Sequence, residues 1–142
     1  MRAVPLTRPL AERKITDNWA YTPENTLKSL YRWWMPQTAA SLPERKQALE
    51  ALSRRAPSAG WRICIDQLDP GSTIGHDNHR PRWRSDASGA GQADTGQENY
   101  SFRHTALDLV LAWPSHNAAT LSDLVGIVHV LPRMIRRRCG TS

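Results

Sequence analysis

His76-Asp77-Asn78-His79, with Asp66 and Asp69 shortly upstream, is the densest group of potential ligands and proton carriers in the chain. Imidazoles and carboxylates together can hold a transition metal or share general acid–base work. A structural zinc site would need cysteines or a further histidine pair at defined spacing. Cys64 and Cys139 are isolated from each other and from any CxxC motif. The favoured reading is a solvated polar loop, with no catalytic residue, metal or cofactor expected. Next to it, His79-Arg80-Pro81-Arg82-Trp83-Arg84 alternates guanidinium groups around an indole. Such a segment can grip a phosphate backbone and stack a base. The favoured reading is again structural: Trp83 buried, with the arginines salt-bridged and capping neighbouring helix ends.

Arg133, Arg136, Arg137 and Arg138 form a second basic cluster near the C-terminus, read as an exposed tail with nucleic-acid or headgroup binding as its alternative. The alternative nucleic-acid interface thus consists of Arg80, Arg82, Trp83, Arg84, Arg136, Arg137 and Arg138. Gly89-Ala90-Gly91 is no phosphate loop, because no strand precedes it and no Gly-Lys-Ser/Thr follows. No serine lies in a nucleophile elbow. Asp108 and Asp123 read as solvation and dipole partners on exposed helical faces.

The elements that must position these residues are constrained by bulk composition. The chain has 142 residues, 39% hydrophobic and 23% charged, which fits one domain with a small core and a sizeable irregular remainder. The formal charge of +6 favours acidic partners, but the four tail arginines supply much of it. Pro5 and Pro9 interrupt the N-terminus and no apolar signal region follows them; nor does any stretch approach the roughly 20 apolar residues of a membrane span. A cytoplasmic protein of bacterial type, with no membrane partner, is expected.

Residues 1–21 are Pro-punctuated and expected to be irregular. Thr22-Pro23-Glu24 reads as a helix start, and Leu27, Leu30, Tyr31 and Trp34 make an apolar stripe that Pro36 ends. Ser41-Leu42-Pro43-Glu44 is a capping box. The helix it opens turns Leu42, Ala48, Leu49, Leu52 and Ala56 inward, and Glu44, Arg45, Lys46, Glu50 and Arg54 outward, before Pro57 closes it. Trp61, Cys64, Ile65 and Leu68 continue as a third helix. Trp61, Ile63 and Ile65 also alternate as a strand would, but the stripe reaching Leu68 and the helical neighbours favour a helix.

From 69 to 99 the periodicity collapses into turn and linker chemistry, a long irregular central loop. Phe102, Ala106, Leu109, Val110 and Trp113 then form a stripe starting near Tyr100 and ended by Pro114. Thr120-Leu121-Ser122-Asp123 opens a last helix whose stripe is Leu121, Leu124, Val125, Val128 and Leu131. Six tryptophans against one phenylalanine mark helices packed around aromatic anchors; Trp33, Trp34, Trp61 and Trp113 fall where the periodicity points inward. Trp34-Met35-Pro36 before Ser41-Leu42 and Trp113-Pro114 before Thr120-Leu121 echo each other. They suggest α-hairpins stacked as in a helical repeat, although two copies do not establish one.

The stretch from Pro23-Glu24-Asn25-Thr26-Leu27-Lys28-Ser29-Leu30 through Trp34-Met35-Pro36-Gln37-Thr38 resembles the helical C-terminal region of large bacterial multidomain proteins of the STAND-like defence type. So do Gly60-Trp61-Arg62 and His79-Arg80-Pro81-Arg82-Trp83-Arg84. The resemblance spans roughly residues 16–132. Its motifs are structural and transfer no catalytic residue. It implies a helical scaffold next to a nucleotide-binding or effector module, and with no Walker motif present that module would lie outside this chain. After Pro132 the pattern departs: an acidic amphipathic helix would follow, yet Arg-Met-Ile-Arg-Arg-Arg-Cys-Gly-Thr-Ser stands there. Codons exist for 134–142 that read, one base earlier, as Asp-Asp-Gln-Ala-Lys-Val-Trp-Asp-Leu, which is such a helix. The expectation is a truncated or frameshifted piece of a larger protein.

Taken together, the sequence predicts an all-α protein of about five amphipathic helices in two α-hairpin groups. An irregular segment covers 1–21, a single helical domain 22–132 with its loop 69–99, and a basic disordered tail 133–142. Its expected role is a non-catalytic scaffold or protein-interaction segment, through a protein partner or self-association. A small basic nucleic-acid-binding protein is the alternative.

Overall fold

Thr22 is extended, and its Oγ1 accepts the Asn25 N–H at 3.1 Å; Pro23 follows at a position where a missing N–H costs nothing. This starts α1, Pro23–Tyr31, in a computed structural model that describes residues 22–69, 71 and 95–129. The helices α2 (Leu42–Arg55), α3 (Pro57–Leu68), α4 (Gly96–Leu111) and α5 (Ala118–Ile127) follow, with no strand among the described residues. The protein is all-α, as the periodicity predicts. The 1–21 segment, nearly all of the stretch between α3 and α4, and the 133–142 tail lie outside the described residues.

α3 is the hub. It packs against each of the other four described helices, and its Ala59, Gly60, Trp61, Ile63, Cys64, Gln67 and Leu68 are all buried. Burial on nearly every side explains why its sequence alternates like a strand and also repeats like a helix. The helical reading is the correct one. Only Ala56 separates α2 from α3, so the two run into a tight turn, and Gly60 lies against the α2 backbone: a Cβ there would come within 2.5 Å of Ser53 Cα.

The core is built from Leu49 and Leu52 of α2, Ile63, Cys64 and Leu68 of α3, and Phe102, Leu107 and Val110 of α4, with Leu27 and Tyr31 from α1. The two groups, α1–α3 and α4–α5, thus share one apolar centre through α3.

The boundaries depart from the periodic pattern at several ends. α1 leaves the helix at Arg32 (ψ 119°) and does not reach Trp34. The chain folds back so that the Gln37 N–H donates to Ser29 O at 3.1 Å, satisfying a carbonyl of the helix end. Trp33 then packs on the core with the Arg103 guanidinium 4.7 Å from its ring centre, and Arg32 stacks on Trp34. α4 begins at Gly96, ahead of Tyr100. Thr95 and Glu98 form a reciprocal capping box, with Thr95 N–H to Glu98 Oε2 at 2.8 Å and Glu98 N–H to Thr95 Oγ1 at 3.2 Å. α5 is capped by Asn117, with Thr120 at the third helical position in place of the cap, and its last helical residue is Ile127.

One residue expected outside is inside. Arg45 is 3% exposed, its guanidinium 5.1 Å from the centre of the fully buried Phe102 ring. An arginine stem buries well along apolar surface, and the planar head stacks favourably on an aromatic face.

Candidate functional site

His76, Asp77, His79, Arg80, Arg82, Trp83 and Arg84 lie outside the described residues, as do Arg136, Arg137 and Arg138. No group of three potential metal ligands occurs among the described residues. The two carboxylates upstream serve local structure. Asp66 on α3 lies 3.6 Å from Lys28 Nζ; burial raises its carboxyl above the usual range, and Lys28 partly offsets that. Asp69 Oδ1 accepts the Gly71 N–H at 3.0 Å. The Cys64 thiol, pushed up to about 11 chiefly by burial, is a neutral core group with Ser53 Oγ 3.9 Å away.

Arg103, which sequence reasoning does not single out, ties α4 to α3. Its Nε donates to Gln67 O at 3.0 Å and its Nη2 to Leu68 O at 3.2 Å, meeting open carbonyls at the negative end of α3. Periodicity gives no signal for a contact between residues so far apart in sequence.

The feature that fits no internal role is the outer face of α5. The helix is anchored by three side chains. Ile127 is buried, Leu124 packs partly against the core, and Asp123 Oδ2 accepts the Trp61 Nε1–H at 2.8 Å. Around that bond, Trp113 meets the Trp61 ring edge-on at 5.1 Å and His116 does so at 5.7 Å. Asp123 is therefore the acceptor that lets a buried indole keep its hydrogen bond, a role beyond the solvation expected of it.

On the other side, Leu121 is 52%, Val125 71% and Val128 56% exposed, with Leu111 at the end of α4 60% exposed. Leu121, Val125 and Val128 recur at helical spacing and form one ridge. Beside it, Ala118, Ser122 and Gly126 stand one turn apart, and a Cβ at Gly126 would meet nothing. The periodicity assigns the ridge to the inward stripe; among the described residues of that stripe only Leu124, with Ile127 beside it, turns inward. Fully burying a valine or leucine is worth about 1.5–3 kcal/mol, so the ridge leaves several kcal/mol of apolar burial available to a partner.

No described helix is long and apolar enough to cross a membrane. Comparison with known protein families, with curated proteins and with solved structures gives no match to this chain.

Proposed function

We propose that the chain is a non-catalytic helical scaffold whose task is protein interaction, with the outer face of α5 as its docking surface. The observation that carries this reading is the ridge of Leu121, Val125 and Val128, turned to solvent on a helix whose other side is fixed by Ile127 and the Trp61–Asp123 bond. Contiguous apolar surface of this kind marks association sites on folded proteins. An amphipathic helix offering residues at i, i+4 and i+7 is a common way to present one. The resemblance of residues 16–132 to helical regions of STAND-like proteins agrees with a scaffold role.

The test is a comparison of the wild-type chain with Leu121→Ser/Val125→Ser, both used as bait for cross-linking. The wild type is expected to hold a protein partner, either another polypeptide or a second copy, that the double variant loses while its circular dichroism stays unchanged. Identical cross-linked species from both chains would refute the reading.

A further inference from the structure

Of the described helices, α5 is the one least held by the rest of the fold. Among its ten residues Ile127 is the buried one, with Leu124 packed partly against the core. Its neighbour α4 sinks Phe102, Ala106, Leu107 and Val110. α1 is shorter still, yet its Leu27 and Tyr31 lie in the core. Two ion pairs also bind α1 to α3, Lys28–Asp66 at 3.6 Å and Glu24–Arg62 at 3.1 Å. Among the described residues α5 makes no ion pair, and a single hydrogen bond joins it to another helix, Trp61 Nε1–H to Asp123 Oδ2 at 2.8 Å. Its N-terminus is closed from within. The Asn117 N–H donates to Thr120 Oγ1 at 2.8 Å and the Thr120 N–H to Asn117 Oδ1 at 3.0 Å, so the cap needs no group from another helix. The chain leading into α5 is pinned separately: the Trp113 N–H donates to Val110 O at 3.3 Å, and the Trp113 and His116 rings both meet Trp61 edge-on.

We infer that α5 is a latch on α3: it leaves Trp61 as a unit, turning between His116 and Asn117, while α1–α4 stay folded. One buried side chain, one partly buried side chain and one hydrogen bond make up the attachment. Elements held so lightly open at lower free energy than the core that carries them. A helix of ten residues is marginal on its own, so α5 loses its backbone hydrogen bonds once detached and its amides exchange. Opening uncovers the Trp61 indole and Ile127 together. The ridge of Leu121, Val125 and Val128 is in water in both states, whereas Leu124 and Ile127 become reachable only in the open one. A ligand of that inner side shifts the chain toward the open state by as much as it prefers it. The latch is independent of what the ridge binds.

The experiment is amide hydrogen exchange of the full chain, read residue by residue by NMR and corrected for intrinsic rates. In the wild type the amides from Leu121 to Ile127 are expected to be protected, to share one opening constant, and to exchange about tenfold or more faster than those of α3 and α4. Asp123→Ala leaves the buried Trp61 N–H without its acceptor in the closed state. It should raise exchange throughout α5 by roughly tenfold and leave α2–α4 unchanged. Asp123→Asn keeps an acceptor there and should stay near the wild type. The wild-type profile alone can overturn the latch. It does so if α5 is as protected as α3, if its amides exchange at free-peptide rates, or if the rates climb steadily toward Ile127, the mark of simple fraying. Exchange in Asp123→Ala that stays unchanged in α5, or that rises equally in every helix, overturns it as well.

Discussion

Gly60 and Gly126 show how one residue type takes opposite roles within one molecule. At Gly60 a methyl group would lie 2.5 Å from Ser53 Cα and 2.9 Å from Ser53 N, which are backbone atoms that yield only if α2 and α3 separate. Gly60→Ala is expected to destabilise the fold by about 1–3 kcal/mol, the usual cost of overpacking. At Gly126 nothing stands in the way, and alanine is the better helix former by roughly 0.5–1 kcal/mol, so Gly126→Ala should stabilise the isolated chain. Urea unfolding followed by circular dichroism decides both; midpoints shifted in the same direction would contradict the opposite roles. The sequence shows both glycines but not their difference. Each lies inside a helical stripe, and only the neighbouring helix distinguishes them. Arg45 and Arg103 behave alike with charge, since partners such as Phe102, Trp33 and the end of α3 come from other elements.

At the scale of elements, the caps are the most legible feature. Thr22 with Pro23 and Ser41 with Glu44 open α1 and α2 as their spacing predicts. The Thr95–Glu98 box is equally present in the sequence, but the polar Gln97, Glu98 and Asn99 give no apolar period to draw the helix back from Tyr100. Both box glutamates lie below the usual carboxylate range, chiefly because each accepts a backbone N–H, from Ser41 or Thr95. A lowered folded value means that the stabilisation is complete above the unfolded value near 4.5 and is lost as the pH falls through the folded one. Glu98→Gln should therefore be less stable than the wild type at pH 7, and the gap should close as the pH drops below 4.5. Asp66, raised by burial, works in the opposite sense but contributes equally to both proteins and cancels in the comparison. A gap that stays constant with pH, followed by thermal melts across the acid range, would deny the carboxylate its capping role.

At the scale of the whole molecule, the two sides of α5 should respond differently to the same chemical change. Ile127→Ser removes a buried anchor and is expected to cost about 2–4 kcal/mol, whereas Val125→Ser at the ridge should fall within about 0.5 kcal/mol of wild type. Denaturant midpoints check the pair, and equal losses would mean that the ridge is covered within the chain. The helical class, the presence of the five described helices and the start signals of α1 and α2 were determined by sequence alone, because capping chemistry and apolar period act between residues a few positions apart. The residues that sequence offers for nucleic-acid contact, from Arg80 to Arg84 and Arg136 to Arg138, lie outside the described part of the fold, so the candidate site falls instead on α5, where sequence points inward. Tertiary structure alone decided which side of that apolar helix is buried. Leu121, Leu124, Val125, Ile127 and Val128 are nearly interchangeable in hydrophobicity, and it is the contacts with other elements, Ile127 and Leu124 against the core and Asp123 bound to Trp61 of α3 at 2.8 Å, that go with the rotation leaving the ridge in water.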